Sequence, residues 1–342
     1  MPSVAVLILN WNGKYFLEQF LPSLIQYTPP ELAEIIIADN GSSDDSLSWI
    51  RTSYPHINII ELGKNFGFAG GYNLAIDACK HKYILLLNSD VEVSQGWLEP
   101  LLAGLKDPKI GAVMPKVLSW KKRTHFEYAG ASGGYLDKFG YPFCRGRIFD
   151  EVEPDLGQYN ETSEVHWTTG ACMLIKREVF IDVGKFDADF FAHMEEIDLC
   201  WRIRRSELKL FVIPASQVYH VGGGTLPNES PKKLYLNFRN NLYLLFKNLP
   251  EGKLFSIIFI RLLLDGVAAA KYLVSGKFRF TTAIFKAHMS FFGSMHKLRL
   301  KRPDVLAKNT SIGKLYPGSI VYQFYLKGIK KFSDLRYKHP DL

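Results

Sequence analysis

The sequence predicts an α/β protein built on a mainly parallel sheet, and three observations carry that expectation. Through roughly the first 115 residues, apolar runs of strand length alternate with amphipathic stretches of helix length, the pattern of βαβ crossovers. The strand-like runs end in polar, mostly glycine-bearing groups, where an open α/β sheet places its ligand. A chain of 342 residues that is 47% hydrophobic also has enough apolar material for more than one minimal domain.

Taken in order, residues 4–9 read as a strand, 14–27 as an amphipathic helix and 34–38 as a second strand. Residues 45–53 read as a helix, 57–61 as a strand, 70–80 as a helix and 83–87 as a buried strand. The segments that follow strands are Asn10-Trp11-Asn12-Gly13, Asp39-Asn40-Gly41-Ser42-Ser43, Asn65-Phe66-Gly67 and Asn88-Ser89-Asp90. Residues 119–165 mix glycine, aromatic and charged residues with weak periodicity, as a β-rich insertion or mobile loop would. Periodic structure resumes at 167–176, with a short helix expected over 177–183, a helix over 195–206 and a strand over 210–213. No internal repeat is visible.

From Pro231 the character changes. Residues 1–230 carry 21 Lys/Arg against 29 Asp/Glu, a net of −8, whereas residues 231–342 carry 21 against 5, a net of +16. A basic third joined to an acidic body points to an anionic partner, a phospholipid surface or a nucleic acid, or else to a solvated basic face. Helices are expected over 234–249 and 254–274, and residues 277–302 interleave Phe278, Phe280, Phe285, Phe291 and Phe292 with cations. Arg261, Asp265 and Lys271 interrupt the 254–274 run, which argues against a spanning helix and for one lying in a bilayer interface or packed on the body. The four cysteines lack metal or disulfide spacing, so a reducing cytoplasm is expected. No basic leader or small-residue cleavage site accompanies the first strand, and no secretory signal is expected.

The chemistry-bearing residues gather at three places. Asp90, after a buried strand, suits a divalent cation bridging two phosphates, with Asn88 as a neutral partner, although Asx residues also favour turns. Asp39 can accept an imide N–H from a pyrimidine base or cap the following helix. Asn65, Gly67, Gly70, Gly71 and Asn73 form a glycine-relieved turn into a helix, where backbone approaches a phosphate or ribose closely. It is not a Walker loop, since no Gly-Lys-Ser/Thr follows. Glu195, Glu196 and Asp198 crowd one helical turn, which the helix dipole favours and which also raises the pKa of a candidate base. His220 closes an apolar run before three glycines, as a structural histidine or a metal ligand would.

The ordered set of motifs resembles glycosyltransferase family 2, in its rhamnosyltransferase-like branch. The resemblance runs from Val4 to Asn248 through Leu9-Asn10-Trp11-Asn12-Gly13, Ala38-Asp39-Asn40-Gly41-Ser42-Ser43-Asp44, the stretch from Lys64 to Asn73, and Leu87-Asn88-Ser89-Asp90. It continues through Thr169-Gly170-Ala171-Cys172-Met173, Gly184-Lys185-Phe186-Asp187, the stretch from Phe191 to Leu199, and His220. It implies a glycosyltransferase A fold over 1–230, with a nucleotide-sugar half at 1–115 and an acceptor half at 116–230, followed by a basic helical extension over 231–342. It implies an inverting enzyme that transfers sugar from a nucleoside-diphosphate donor, dTDP-L-rhamnose in many similar sequences, to a saccharide or lipid-linked saccharide in cell-surface polysaccharide synthesis.

The family's Asp-x-Asp appears here as Asn88-Ser89-Asp90, so Mn2+ or Mg2+ is expected on Asp90 with His220 as second ligand. The family's Glu-Asp appears as Glu195-Glu196, which places the base on Glu196, one methylene longer than usual, with Glu195 as its rival. Asn10, Asn12, Asp39, Asn65, Gly71, Asn73, Asn88 and Ser89 would hold the donor, and Trp167, Thr169 and Gly170 the acceptor. The basic third would meet an anionic membrane at its cytoplasmic face, and no nucleic acid is expected as partner. Two other classes stay open at this level. A nucleotidyltransferase would share the pocket but want a cation between Asn65 and Asn73, which has none. A non-catalytic binding module using the basic third would leave the acidic cluster without a task and bind nucleic acid in a salt-sensitive way.

Overall fold

The computed structural model describes residues 2–222, 230–303 and 315–335. Strand β1 (Val4–Asn10), helix α1 (Lys14–Tyr27), β2 (Ala33–Asp39), α2 (Ser46–Ser53), β3 (Asn58–Glu61), α3 (Gly67–Ala78) and β4 (Tyr83–Leu87) form the expected alternation. The order β3-β2-β1-β4 is parallel throughout, with β1 between β2 and β4. The chain therefore winds outward to β3, then returns to the other side of β1. That reversal opens a crevice at the carboxyl ends of β1 and β4, beside Asn10 and Asn88. Val4–Leu7 and Ile84–Leu86 are almost inaccessible because helices cover both faces, which explains why these strands read as continuous rather than alternating apolar runs.

Beyond β4 the sheet becomes mixed. Strand β5 (Val91–Val93), helix α4 (Leu98–Gly104) and strand β6 (Ile110–Ser119) follow. The 119–165 region then folds as a small antiparallel sheet of β7 (Gly134–Leu136), β8 (Pro142–Cys144), β9 (Arg147–Ile148) and β10 (Glu151–Val152). It is therefore β-rich, with short strands whose residues lack a shared period. The chain returns through β11 (Ser163–Glu164), β12 (Cys172–Lys176), α5 (Arg177–Asp182), a 3-10 turn at Ala188–Phe190, α6 (Glu195–Arg205) and β13 (Lys209–His220). The main sheet has nine strands in the order β11-β13-β6-β12-β4-β1-β2-β3, with β5 on β13. Strand β13 extends well past the expected 210–213. Its register on β6 shifts between Ile213 and Gln217, across Pro214, and then resumes to His220. Proline removes a ladder donor there, so the apolar pattern breaks while the strand goes on.

Helices α7 (Pro231–Asn248), α8 (Glu251–Val274), α9 (Phe278–Leu300) and α10 (Ile320–Tyr325) complete the described chain. None of the described helices is long and apolar enough to cross a membrane. Helix α8 is built inside out. Its buried residues are Arg261 and Asp265, while Phe255, Phe259, Leu263, Val267 and Val274 are exposed. Arg261 Nη1 donates to Phe139 O (3.1 Å) and its guanidinium stacks 3.7 Å from the Tyr141 ring centroid. Asp265 lies 3.6 Å from Arg261 and 3.2 Å from His288 of α9. The charges that break the apolar run are thus its anchors to the body.

Helix α7 ties the C-terminal helices to the rest of the fold. Asp198 of α6, fully buried, receives Lys247 Nζ (2.9 Å), Asn248 Nδ2 (2.8 Å) and Arg202 Nε (3.0 Å). Burial alone would raise its pKa, but the charges of Arg202 and Lys247 reverse that and hold the carboxyl well below the usual range. Two turns of α7 earlier, Asn240 Nδ2 donates to Phe190 O (2.9 Å), Ala192 O (2.8 Å) and His193 O (2.7 Å). The loop it grips is strained: Phe191, His193 and Met194 have φ of +66°, +71° and +73°. Gly67, at φ +72°, lets α3 approach the same loop, where Phe68 N donates to Phe191 O at 2.7 Å and a Cβ on Gly67 would meet that carbonyl at 2.6 Å.

Two substitutions test these joints. Asp198→Ala leaves Arg202 without its carboxylate and Lys247 with Asp187 alone (2.7 Å), and about 3–5 kcal/mol of stability is expected to be lost in urea unfolding at neutral pH. The depressed carboxyl stabilises the fold above its unfolded pKa, so the difference between wild type and variant should shrink only as strong acid protonates it. Asn240→Ala should cost about 1–3 kcal/mol, the penalty for orphaning buried carbonyls. Equal stability of either variant with wild type would show that the joint is not formed.

Candidate active site

Strand register assembles the site. Strand β12 runs antiparallel to β4 with Cys172 opposite Leu87, and Asn88 N donates to Ala171 O (3.0 Å). Thr169 and Gly170 are thereby set beside the Asn88–Asp90 turn. The end of β13 pairs with β5, placing His220 opposite Val91, and Val221 N donates to Asp90 O (3.0 Å). Two residues 130 positions apart are neighbours because a parallel and an antiparallel ladder meet there.

His220 Nε2 lies 3.1 Å from Asp90 Oδ1, and Nδ1 lies 3.1 Å from Glu127 Oε2. Burial would lower the imidazole pKa, but the two carboxylates outweigh it and hold it well above the ordinary histidine value. Asp90 is shifted the other way: burial raises its pKa, but the charge and hydrogen bond of His220 outweigh that, and the net shift is down. Asn88 Nδ2 approaches His220 Nε2 at 3.4 Å.

These residues fit a small divalent cation. The 3.1 Å between Asp90 Oδ1 and His220 Nε2 is close to the ~3 Å between adjacent ligands of an octahedral ion with bonds of about 2.1 Å. Glu127 on Nδ1 is the carboxylate partner that fixes the tautomer of a ligating histidine. Among the described residues no three His, Cys, Asp or Glu side chains converge on one point. The remaining positions would fall to substrate oxygens, the usual arrangement for Mg2+ on a diphosphate. The residues after Gly222 in the glycine loop lie outside the described residues.

The carboxylate cluster at 195–198 divides by environment. Asp198 turns into the α6–α7 joint, whereas Glu195 and Glu196 line a cavity of about 1380 Å³. The Oε2 atoms of both glutamates are buried without a hydrogen-bond partner. Burial pushes Glu196 up to about 7. Burial, and then the Glu196 charge, push Glu195 well above the usual carboxylate range, so Glu196 ionises first. A carboxyl that titrates near neutrality with a free oxygen in a cavity can take a proton from an entering hydroxyl.

The same cavity is lined by Asn12, Asn65, Asn88, Ser89, Asp90, Trp167, Thr169, Gly170 and His220. The remaining expected donor residues, Asn10, Asp39, Gly71 and Asn73, stand behind its wall. Asn10 Nδ2 donates to Asp39 Oδ1 (3.1 Å) and Ser46 Oγ (2.9 Å), while Asp39 Oδ2 accepts from Gly41 N and Ser42 N. Gly71 lets α3 pack on Leu9, and Asn73 exchanges two hydrogen bonds with the Phe186 backbone. In this structure their polar groups hold the loops that line the cavity. Trp167 is itself nearly buried, its Nε1 donating to Tyr135 O (3.0 Å). A Cβ on Gly134 would lie 2.0 Å from its ring, so only glycine fits opposite it.

Sequence reasoning missed Glu127, Arg147 and Asn240. Glu127 and Arg147 lie in the aperiodic insertion, where no strand end marks them, and Asn240 sits in a helix that reads as amphipathic. Asn40, within a noted motif, also lines the cavity and accepts from Phe66 N (2.9 Å).

Comparison with known proteins identifies the family and the fold. Residues 5–184, more than half of the chain, match the family described as Glycosyl transferase family 2. The low-salt glycan biosynthesis hexosyltransferase Agl10 of Haloferax volcanii is 24% identical over 70% of this chain and 74% of its own. The N-acetylglucosaminyl-diphospho-decaprenol L-rhamnosyltransferase of Mycobacterium tuberculosis is 27% identical over 64% of this chain and 75% of its own. Among solved structures, S. aureus TarS 1-349 in complex with UDP-GlcNAc superposes with a TM-score of 0.57 at 13% identity, covering 88% of this chain and 84% of that one. GalNAc-T7 with UDP, GalNAc and Mn2+ gives 0.56 at 19% identity over 72% of this chain, which spans 48% of that protein. The mixed nine-stranded sheet with helices on both faces is a glycosyltransferase A fold, and the chain belongs to glycosyl transferase family 2.

Proposed function

We propose that the protein transfers a sugar, with inversion, from a nucleoside-diphosphate donor to a saccharide or lipid-linked saccharide acceptor in cell-surface polysaccharide synthesis. The observation that carries this reading is the coexistence, in one cavity, of the Asp90–His220 pair and the Glu196 carboxyl. A divalent cation, Mn2+ or Mg2+, held by Asp90 and His220 would neutralise charge on the leaving diphosphate. GalNAc-T7, a fold relative, was seen with UDP and Mn2+.

Asn65, Asn12 and Ser89 face the donor side, and Asn10, Asp39, Gly71 and Asn73 keep that side in shape. Glu196 accepts the proton of the acceptor hydroxyl as the hydroxyl oxygen bonds to the anomeric carbon and the nucleoside diphosphate departs on the opposite face. Glu195, which ionises later, stays protonated beside it. Trp167, Thr169 and Gly170 form the wall against which the acceptor packs. The donor reading with dTDP-L-rhamnose draws on the mycobacterial rhamnosyltransferase relative.

The exposed apolar face of α8, carried on a basic third of the chain, supports peripheral contact with an anionic membrane. Phe255, Phe259 and Val274 project outward while Arg261 and Asp265 turn inward, and the exposed charges include Lys253 and Lys271, cations suited to an anionic surface. That is the reverse of a helix packed in water and the arrangement of one lying in a bilayer interface.

A screen of dTDP-, UDP- and GDP-sugars with Mn2+ or Mg2+ should find one nucleotide sugar that binds and is slowly hydrolysed, with hydrolysis lost in Asp90→Ala. Binding of none of them would refute the transferase reading and favour an anionic-surface binding module. Transfer of a phosphoryl or nucleotidyl group instead would make it a nucleotidyltransferase. Glu196→Gln should lower kcat by about 10²–10⁴-fold while donor affinity stays within a fewfold. In wild type, kcat should rise with pH through about 7 and level off above it, because only the ionised carboxyl acts as base. A profile flat from pH 5 to 9, assay limits of about these values being set by the ordinary titration ranges, would remove Glu196 from that role. Replacing Phe255, Phe259 and Val274 together by Ser should weaken sedimentation with phosphatidylglycerol vesicles by about tenfold or more. Equal sedimentation would place the membrane contact elsewhere or nowhere.

A further inference from the structure

The cavity holds a buried cation that the transfer reaction described above does not use. Arg147, on β9, lines the cavity and is only 5% exposed. Its Nη1 donates to Phe149 O at 3.3 Å and its Nη2 reaches Cys144 Sγ at 3.2 Å, while Nε is buried without a partner. The Cys144 thiol is itself pushed up by burial, so it stays neutral and offers no counter-charge. Among the described residues, no carboxylate forms an ion pair with Arg147, the Glu127 charge acting on it only from a distance, and its guanidinium lies over the Tyr128 ring at 4.6 Å. Burying a guanidinium away from water without a carboxylate is costly, and a planar fork with unused N–H groups is suited to a phosphate. The other arginine of the cavity wall, Arg261, is buried beside Asp265 at 3.6 Å.

What lies beyond Arg147 narrows the ligand. From Tyr141 and Phe149 the wall continues to Leu264 and Val267 of α8 and to Tyr325 of α10. Val267 and Tyr325 are solvent-exposed, 68% and 58%, so the cavity is open to solvent along this part of α8 and α10. The lining thus combines the Glu195 and Glu196 carboxylates, the Arg147 guanidinium and these hydrocarbon-like side chains, with Arg261 and Asp265 paired to each other among the latter. That combination matches an amphiphile whose sugar lies at Glu196, whose phosphate lies at Arg147 and whose chain leaves between α8 and α10.

We infer that Arg147 seats the phosphate of a lipid-diphosphate-linked acceptor, and that the passage between α8 and α10 receives its hydrocarbon. The inference rests on the glycosyltransferase reading and gives it a specificity-determining residue. A neutral saccharide would leave the guanidinium unpaired, so the site selects phosphorylated acceptors by the cost of that unpaired charge.

Binding of farnesyl diphosphate, farnesol and inorganic pyrophosphate, followed by tryptophan fluorescence in EDTA, reads this subsite without the donor's metal. Wild type should bind farnesyl diphosphate about tenfold or more tightly than either fragment, since each lacks the charge or the chain. Arg147→Met should lose the preference for the diphosphate over farnesol, Arg147→Lys should keep part of it, and Asp90→Asn should retain it in full. Farnesyl diphosphate affinity unchanged in Arg147→Met, or lost in Asp90→Asn instead, would put the phosphate in the donor site and overturn the inference. Pyrophosphate binding as tightly as farnesyl diphosphate would overturn the lipid assignment. Nucleotide-sugar binding with Mn2+, measured on the same Arg147→Met preparation, should match wild type and confirms that the variant is folded. Absence of nucleotide-sugar binding in wild type would instead be a failure of the transferase reading, visible apart from the farnesyl diphosphate result.

Discussion

A single side-chain amide joins three parts of the molecule. Asn240 on α7 grips the carbonyls of Phe190, Ala192 and His193, and the loop it holds leads directly into Glu195 and Glu196. The same loop receives backbone N–H groups from the start of α3, which belongs to the sheet half around β1. Left-handed backbone at Phe191, His193 and Met194 is unfavourable for residues with side chains, and it persists only where neighbours over-determine it. The glutamates are thus aimed into the cavity by strain held from two sides, one of them a helix far along the chain.

Electrostatics then sorts residues that look alike in sequence. Glu195, Glu196 and Asp198 occupy one helical turn, yet their environments separate them. Asp198 faces Lys247 and Arg202 and stays ionised, while the glutamates face a cavity that offers no cation of their own and resist ionisation. The imidazole of His220 is governed by the opposite circumstance, two carboxylates in contact with a buried ring. Burial works against charge in every case, and the partner within hydrogen-bonding distance decides the outcome.

Helix α8 inverts the usual relation between polarity and burial. Arg261, Asp265 and His288 form a polar seam against the body, and Phe255, Phe259 and Val267 of α8 are exposed. The same helix lines the cavity from inside with Leu264 and Ala268. One element therefore forms both a wall of the site and an apolar outer surface, which couples the chemistry of the acceptor to the surface on which the protein would rest.

Much of this could be read from the chain alone. The βαβ alternation, the polar strand ends, Asp90, the glutamate pair and the charge asymmetry are local features, set by periodicity and by the residue types that follow strands. The ordered motifs also identify the family, because they fix which residues reach the sheet edge and in what order. What the sequence could not decide depends on contacts across long separations. Glu127 becomes the partner of His220, Asn240 the clamp of the 190–194 loop and Arg147 a lone buried cation only after the mixed sheet and α7 close around them. Likewise Asp39, which looks like a donor ligand by position, uses its carboxylate on the loops behind the cavity wall, and Asn10 does so with its Nδ2 while its Oδ1 stays buried without a partner. Sequence determined which groups stand at the carboxyl edge of the sheet. Tertiary structure decided which of them keep an unsatisfied atom facing the cavity, because a buried polar group is defined by the partners that folding brings to it.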